Sequence, residues 1–428
     1  MKKIFWNTIL ILNFYLILYF WFTNSSYLIS GTSNGHLLIA FGRLAGLLSE
    51  FLILIQLLLI SRFTFIERQY GFDKLISIHK KIGFFLGIFL ISHPLLLSIG
   101  YSLSGNTGFI GQFVNFITKW NGIFGATFAF INIIFVAIIS IKKYRAKISY
   151  EVWYFLHLPL YIAVAIAFEH QINTGDMSAG GAMYYWFLIN LVTIGILIIY
   201  RFLKPIYLFS KHTFKIDKVI QENEYVYSIY ITGKNMNQYK FQAGQYTNLI
   251  FFQKKMIFHH PFSFSDAYNG KYLRFTIKAS GDFTSKIDKL KTGTRVWIDG
   301  PFGAFTLSKL VNNKIVFIAG GIGITPILSM IKSMQNVKNA VLLYSNKSES
   351  DINFWHEITR SQIESHYFNT SLGTSNRISI EKIVEICPDY KNRDFYICGP
   401  KLMTHSLVKN LKIAGISSKQ IHFEKFDY

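Results

Sequence analysis

HKKIGFFLGIFLISH at residues 79–93 and HLPLYIAVAIAFEH at residues 157–170 each enclose an apolar run between two histidines. Imidazoles in hydrocarbon need partners, so these four set the first condition on any fold for the chain. The spacings are 14 and 13 residues, and a helical rise of ~1.5 Å per residue separates the members of each pair by about 20 Å. If the two segments run in opposite directions, His79 comes level with His157 and His93 with His170. Two imidazoles facing each other across a bundle are natural axial ligands of a low-spin haem, and two such levels make a stacked pair. Helical phase meets this only in part. At about 100° per residue His93 falls about 40° from His79, whereas His170 falls about 140° from His157. Pro159 lacks a backbone donor and offers a kink or a local change of winding at that point. For any single histidine, a hydrogen-bonded core position is the alternative.

The surrounding sequence agrees with a membrane setting. Of 428 residues 51% are hydrophobic, with 41 Phe and 25 Tyr, too apolar for an ordinary soluble enzyme. Residues 1–210 carry 15 Lys and Arg against 6 Asp and Glu, while residues 211–428 carry 29 against 17 in alternating sequence. The net charge of +21 is spread without a dense block, which disfavours a nucleic-acid partner. The two cysteines, Cys387 and Cys398, have no zinc-site spacing and suit a reducing compartment.

Six spans are expected near 5–22, 37–60, 76–100, 122–141, 151–169 and 183–203. The first is expected to be retained, since no small-residue cleavage site follows it. Basic residues cluster at alternate ends: Lys2 and Lys3; Arg62, Arg68, Lys74, Lys80 and Lys81; Lys142, Lys143, Arg145 and Lys147; Arg201 and Lys204. The positive-inside rule then predicts a multi-pass inner (cytoplasmic) membrane protein with both termini and the C-terminal half in the cytoplasm. The opposite connections, around 23–36, 101–121 and 170–182, read as short loops with hardly any charge, His36 among them. Within the second span, Arg43 and Glu50 stand seven residues apart on one face. Arg43 either snorkels to the outer surface or faces inward, where it would pair with a haem propionate and lend positive potential to an electron acceptor.

From residue 211 to about 308, period-two segments such as TFKIDKVI, YVYSIYITG and YLRFTIKA predict a small antiparallel β-barrel. It contains His260-Pro261-Phe262-Ser263-Phe264-Ser265, and Lys278-Ala279-Ser280-Gly281-Asp282-Phe283-Thr284 before an expected helix whose N–H groups could hold a pyrophosphate. Phe262 and Phe264 also fit a barrel core. Residues 309–428 change to strand–helix alternation, opening with KIVFIAG and the loop Gly320-Gly321-Ile322-Gly323-Ile324-Thr325-Pro326. This is GxGxxP and not the full dinucleotide fingerprint. Pro326 suits the first turn of a helix. Cys398-Gly399-Pro400 ends a later strand, where ligands of parallel sheets collect, although Cys398 could also be core. Ser345 and Lys347 follow the second strand and could hold a 2′-phosphate, giving NADPH a mild preference over NADH.

Taken together, these motifs resemble the NADPH oxidase and ferric reductase superfamily, and most closely its compact prokaryotic members. The resemblance covers nearly the whole chain. It implies a six-helix transmembrane haem bundle (1–210) fused to a ferredoxin-NADP reductase-like module, with an FAD-binding β-barrel (211–308) and an α/β NAD(P)H-binding domain (309–428). It implies two b-type haems on His79, His93, His157 and His170. FAD would lie on His260, Pro261, Phe262 and Ser263, with Lys278, Gly281 and Thr284 nearby, and NADPH on Gly320, Gly321, Gly323, Thr325, Pro326, Cys398, Gly399 and Pro400. Phe426 matches the family's C-terminal aromatic against the flavin, and Arg43 its outer arginine. The expected activity is electron transfer from cytoplasmic NADPH to dioxygen, giving superoxide; reduction of a ferric chelate over the same path is the alternative. A transporter or haem-bearing anchor for a partner complex belongs to a different class and would not turn over NADPH. The expected partners are the small acceptor and the lipid bilayer, with no obligatory protein partner. Calcium-binding hands are absent from the 428 residues, so regulation through them is not expected, and the short outer loops predict an open outer face.

Overall fold

The computed structural model describes residues 2–105, 107–253, 256, 258–373 and 376–426. Its chain forms two units, Met1–Phe202 and Leu203–Tyr428.

The first unit is helical: α1 Lys2–Ile29, α2 His36–Ile60, α3 Thr64–Tyr70, α4 Phe72–Gly105, α5 Phe109–Lys119, α6 Ile123–Ser140, α7 Lys142–Arg145, α8 Tyr150–His157, α9 Pro159–Asn173 and α10 Gly180–Leu197. Among the described residues, six stretches are long and apolar enough to cross a membrane: Ile4–Ile29, His36–Ile60, Lys74–Gly105, Ile123–Ser140, Glu151–Asn173 and Gly180–His212. Large side chains such as Phe84, Phe124, Ile131, Ile162 and Leu191 are exposed on them. So much outward apolar surface suits lipid as the solvent. Inside the unit, α2 packs along α4 and α6 along α9. Ile53 and Leu57 of α2, Leu86 of α4, Val164 of α9 and Leu197 of α10 form one buried apolar layer. Leu86 is seven residues from both His79 and His93, so this layer lies between the two histidine levels.

One local expectation is met and two are corrected. The interruption offered by Pro159 divides the fifth span, α8 ending at His157 and α9 beginning at Pro159. Pro159 cannot donate to the Phe155 carbonyl, which instead accepts the Leu158 N–H at 3.3 Å. His36 is not loop but the first residue of α2, its N–H donating to the Ser33 carbonyl at 3.3 Å. The 101–121 connection holds the amphipathic helix α5, with Phe109, Ile110, Phe113 and Val114 exposed on one side and Gln112 and Phe116 buried on the other. Apolar residues at helical spacing between glycines produce this helix.

The second unit opens with α11 Lys204–His212, followed by β1 Lys215–Asn223, β2 Val226–Thr232, β3 Tyr246–Phe251, β4 His260–Ser263, β5 Leu273–Lys278 and β6 Val296–Phe302. These strands pair antiparallel in the orders β1-β2-β5 and β4-β3-β6. Bridges Lys215–Arg295 and Phe264–Phe275 join the two sheets edge to edge, enclosing a core that includes Phe214, Ile229, Phe251, Phe264, Phe275 and Ile298. The result is a closed barrel.

Beyond it, β7 Lys314–Gly320, α12 Ile324–Ser333, β8 Ala340–Asn346, α13 Trp355–Arg360, β9 Glu364–Asn369, α14 Ile380–Ile386, β10 Arg393–Pro400, α15 Lys401–Ile413 and β11 Ile421–Phe426 build a five-stranded parallel sheet, order β11-β10-β7-β8-β9. Alternate residues of β7 enter different cores: Ile315, Phe317 and Ala319 on one face, Val316 and Ile318 on the other. Both faces are covered, as parallel strands require. The chain runs from β7 to β8 on one side and returns to β10 on the other, so the strand order reverses between β7 and β10.

Candidate functional site

In the first unit, α4 and α9 bring His93 and His170 together with ring centroids 6.4 Å apart and planes at 42°. Room for His93 comes from Gly46 of α2, where a Cβ would lie 2.6 Å from the ring. The Nδ1 atom of His93 lies 2.8 Å from the Gly42 carbonyl, and that of His170 is bonded to the Ala167 carbonyl. An Nδ1–H donated to a carbonyl leaves Nε2 as a lone pair, the form in which imidazole binds a metal. At the other level, His157 places Nδ1 3.2 Å from the Trp153 carbonyl, and the His79 carbonyl accepts from the Gln56 side chain of α2 at 3.0 Å. The buried His79 Nδ1 has no hydrogen-bond partner among the described residues.

Arg43 does not snorkel. Its guanidinium donates to Asp176 at 2.9 Å and to the Tyr101 hydroxyl at 3.4 Å. The Asp176 side chain is fully buried and accepts from Ser25 at 2.9 Å, while Asn24 donates to its backbone carbonyl at 2.7 Å. An uncompensated charge in such a place costs about 3–5 kcal/mol, so the two ions require each other. Tyr101 packs edge-on against Phe116 and Trp120 at 5.4 and 5.7 Å, which brings α5 against the Arg43 site. Glu50 is buried one helical turn from Gly46; it accepts from Gln171 at 3.1 Å through Oε2, and Oε1 has no partner among the described residues.

In the second unit, His260, Pro261, Phe262 and Ser263 form β4, paired with Leu249, Asn248, Thr247 and Tyr246 of β3. His260 stacks on Phe283 at 3.8 Å, a partner that sequence alone did not single out. Lys278 ends β5, and the expected helix after Thr284 is a six-residue 3₁₀ turn, Thr284–Lys289. The N–H groups of Ser280 and Gly281 both donate to the Thr284 hydroxyl, at 3.0 and 2.9 Å.

At the β7/β10 switch point the backbones nearly touch. A Cβ on Gly323 would lie 2.3 Å from the Cys398 carbonyl, and one on Gly399 would lie 3.0 Å from the Gly320 Cα. Gly321 has φ +55° and faces Asn346 at the end of β8, a neighbour not foreseen. Thr325 and Pro326 are buried in the first turn of α12. Ser345 is buried; Lys347 is exposed beside Ser348, whose hydroxyl donates to Asp351 at 2.9 Å. Cys398 is wholly buried, and burial, with the Glu424 carboxylate adding to it, pushes its thiol well above the usual range. Only its backbone lines the turn. Phe426 pairs with Pro400 through its backbone; its side chain lies outside the described residues.

Residues 45–168 match the family described as "Ferric reductase like transmembrane component", residues 211–306 an "FAD-binding domain", and residues 317–409 an "Oxidoreductase NAD-binding domain". A flavohemoprotein of Oceanobacillus iheyensis is 27% identical over 237 residues, covering 50% of this chain and 58% of its own length. The chain therefore spans little more than half of that relative. A probable dihydroorotate dehydrogenase B (NAD(+)) electron transfer subunit of Pyrococcus abyssi is 33% identical over 170 residues, 39% of this chain and 62% of its own. Among solved structures, the flavohem-like FAD/NAD-binding domain of nitric oxide dioxygenase from Vibrio cholerae O1 biovar El Tor aligns with TM-score 0.44 at 21% identity, covering 50% of this chain and 98% of that one. A multi-pass helical module followed by FAD-binding and NAD-binding oxidoreductase domains defines a membrane-embedded redox enzyme. The ferric reductase likeness belongs to the helical module, residues 45–168.

Proposed function

We propose that the protein carries electrons from cytoplasmic NADPH, through FAD and two b-type haems, across the inner membrane to dioxygen on the outer face, producing superoxide. When bound, FAD converts a two-electron hydride into single electrons, and haem iron held between paired imidazoles passes them on one at a time. The observation that carries this reading is the 6.4 Å separation of the His93 and His170 rings. Each ring has its Nδ1 against a backbone carbonyl, so His93 and His170 would hold a haem through Nε2. His79 and His157 would hold the second haem, nearer the cytoplasmic entry.

FAD would be held in residues 211–308 by the β4 backbone and side chains, by Lys278, and by the Gly281–Thr284 turn once the Thr284 hydroxyl yields its two N–H groups. The nicotinamide cofactor would lie in residues 309–428 at the switch point, where Gly320, Gly321, Gly323, Gly399 and Pro400 allow close backbone approach, with Phe426 at the same end of the sheet. Lys347 supplies a cation for a 2′-phosphate. NADH is the alternative donor, because the Asp351 carboxylate stands in the same loop and an acid there suits a free 2′-hydroxyl. Arg43 would set the potential at the acceptor end, with its charge partly offset by Asp176.

Ferric-chelate reduction over the same path is the second reading, supported by the ferric reductase likeness of residues 45–168. Purified full-length protein given NADPH and a ferric chelate, with and without oxygen, separates the two. Superoxide formation with no anaerobic ferric reduction is the expected result. Ferric reduction that persists without oxygen would favour the second reading.

A further inference from the structure

The barrel and the parallel sheet are joined by a half-buried charge network, centred on a buried arginine, that the electron path itself does not require. Arg274 of β5, its side chain 3% exposed, donates to both carboxylate oxygens of Glu357 on α13 at 2.8 and 2.9 Å and to Glu222 of β1 at 2.9 Å. Its guanidinium lies over the rings of Phe354 and Tyr230, at 4.5 and 5.5 Å. Lys332 of α12 completes the set, 2.6 Å from Glu357 and 3.0 Å from Asp266. Asp266 lies three residues after Ser263 on the segment that carries His260–Ser263, and its carbonyl accepts from Ser329 of α12 at 2.7 Å. Helix α12 begins where the Gly320–Gly323 turn ends, and that turn lies against β5. One short helix thus has the nicotinamide turn at its head and the flavin segment tied to its flank.

We propose that Arg274, Glu357, Lys332 and Asp266 form a positioning clamp that fixes the nicotinamide turn relative to the flavin strand and so sets the rate of hydride transfer between the two cofactors. The inference rests on the proposed cofactor sites. The buried Arg274 guanidinium, held through Nη1 by both oxygens of Glu357 and through Nη2 by Glu222, fixes orientation as well as distance, and hydride transfer is steeply sensitive to small misplacements. The hydride leaves the nicotinamide with its electron pair and joins the flavin, oxidising one ring and reducing the other, so none of the four clamp residues exchanges a proton or an electron.

The test uses the full chain, loaded with FAD, as Glu357→Gln and, on the barrel side, Asp266→Asn. The second variant leaves the Arg274–Glu357 pair in place and guards against failure of the first to fold. In each, flavin content and the KM for NADPH should stay within about twofold of wild type, while the flavin-normalised rate of flavin reduction falls about tenfold or more. Amide hydrogen exchange near residues 264–266 and 329–332 should quicken. A role in stability alone predicts fewer folded molecules with an unchanged rate per bound flavin, and that result, or unchanged exchange, overturns the clamp. Exchange is read without turnover. If NADPH failed to reduce even the wild-type flavin, the proposed electron path would be contradicted while exchange still decided the clamp.

Discussion

Gly321 shows how far a single residue can be interpreted. Its φ of +55° is left-handed, and a Cβ there would meet Asn346 only at an ordinary 3.6 Å. The cost of Gly321→Ala is therefore backbone strain, about 1–2 kcal/mol, small against a domain's total of about 5–15 kcal/mol. The variant should fold and keep its haem and flavin. Its KM for NADPH should rise about tenfold, equivalent to ~1.4 kcal/mol of lost binding, measured by steady-state kinetics beside pigment content. Asp389 gives a pH prediction. Although partial burial opposes it, the hydrogen bonds from Arg393 and Lys314, both at 2.6 Å, hold its carboxyl below the ordinary 3.8. A depressed acid stabilises the fold fully above pH 3.8 and loses that contribution as pH falls through the lower folded value. Asp389→Asn should thus weaken the fold at neutral pH and flatten its acid loss below about pH 4, followed by melting temperature against pH. The four histidines were legible in the sequence because imidazole is conspicuous in hydrocarbon. Asp176 was not, because its partner Arg43 is 133 residues away and its own loop carries no pattern. The Arg274–Glu357 pair was hidden for the same reason, both residues lying in sequence that alternates like any soluble surface.

At the scale of elements, the break between α8 and α9 has the clearest consequence. An uninterrupted helix would turn His157 about 140° from His170; Pro159 at the start of α9 interrupts the backbone hydrogen bonding between them, while Leu158 keeps helical dihedrals of −60° and −40°. Pro159→Ala restores the missing donor and allows the helices to join. That variant should lose or perturb the haem at the His79/His157 level and keep the one at His93/His170, read as a halved haem-to-protein ratio by absorbance and pyridine haemochrome assay. Retention of both haems with an unchanged spectrum would show that the break has no such role. The proline marked the position of the break in the sequence, but not that it would divide the span into two helices, because proline at a first helical turn is ordinarily harmless. Helix α5 escaped notice differently: glycine and asparagine on both sides, with serine before it, gave the connection the composition of a loop, while apolar residues at helical spacing decided its structure. The strands were legible through period two. The closing of two sheets into a barrel was not, since it depends on bridges between residues far apart in sequence.

At the scale of the molecule, the uneven distribution of apolar and charged residues corresponds to two units with different surfaces, one exposing Phe, Ile and Leu broadly and the other burying them in three cores. The proposed orientation, with the reductase domains in the cytoplasm, rests on the Lys and Arg clusters at alternate ends of the spans and not on the net charge of +21. All parts of the proposed path meet in one observable, the visible absorption spectrum of the purified full-length protein when NADPH is added under anaerobic conditions. Two bis-histidine haems should be present per chain and should become reduced on NADPH addition when FAD is supplied, and stay oxidised when it is withheld. Protein without haem, or haem that stays oxidised while NADPH reduces the flavin, would contradict electron transfer through the four histidines.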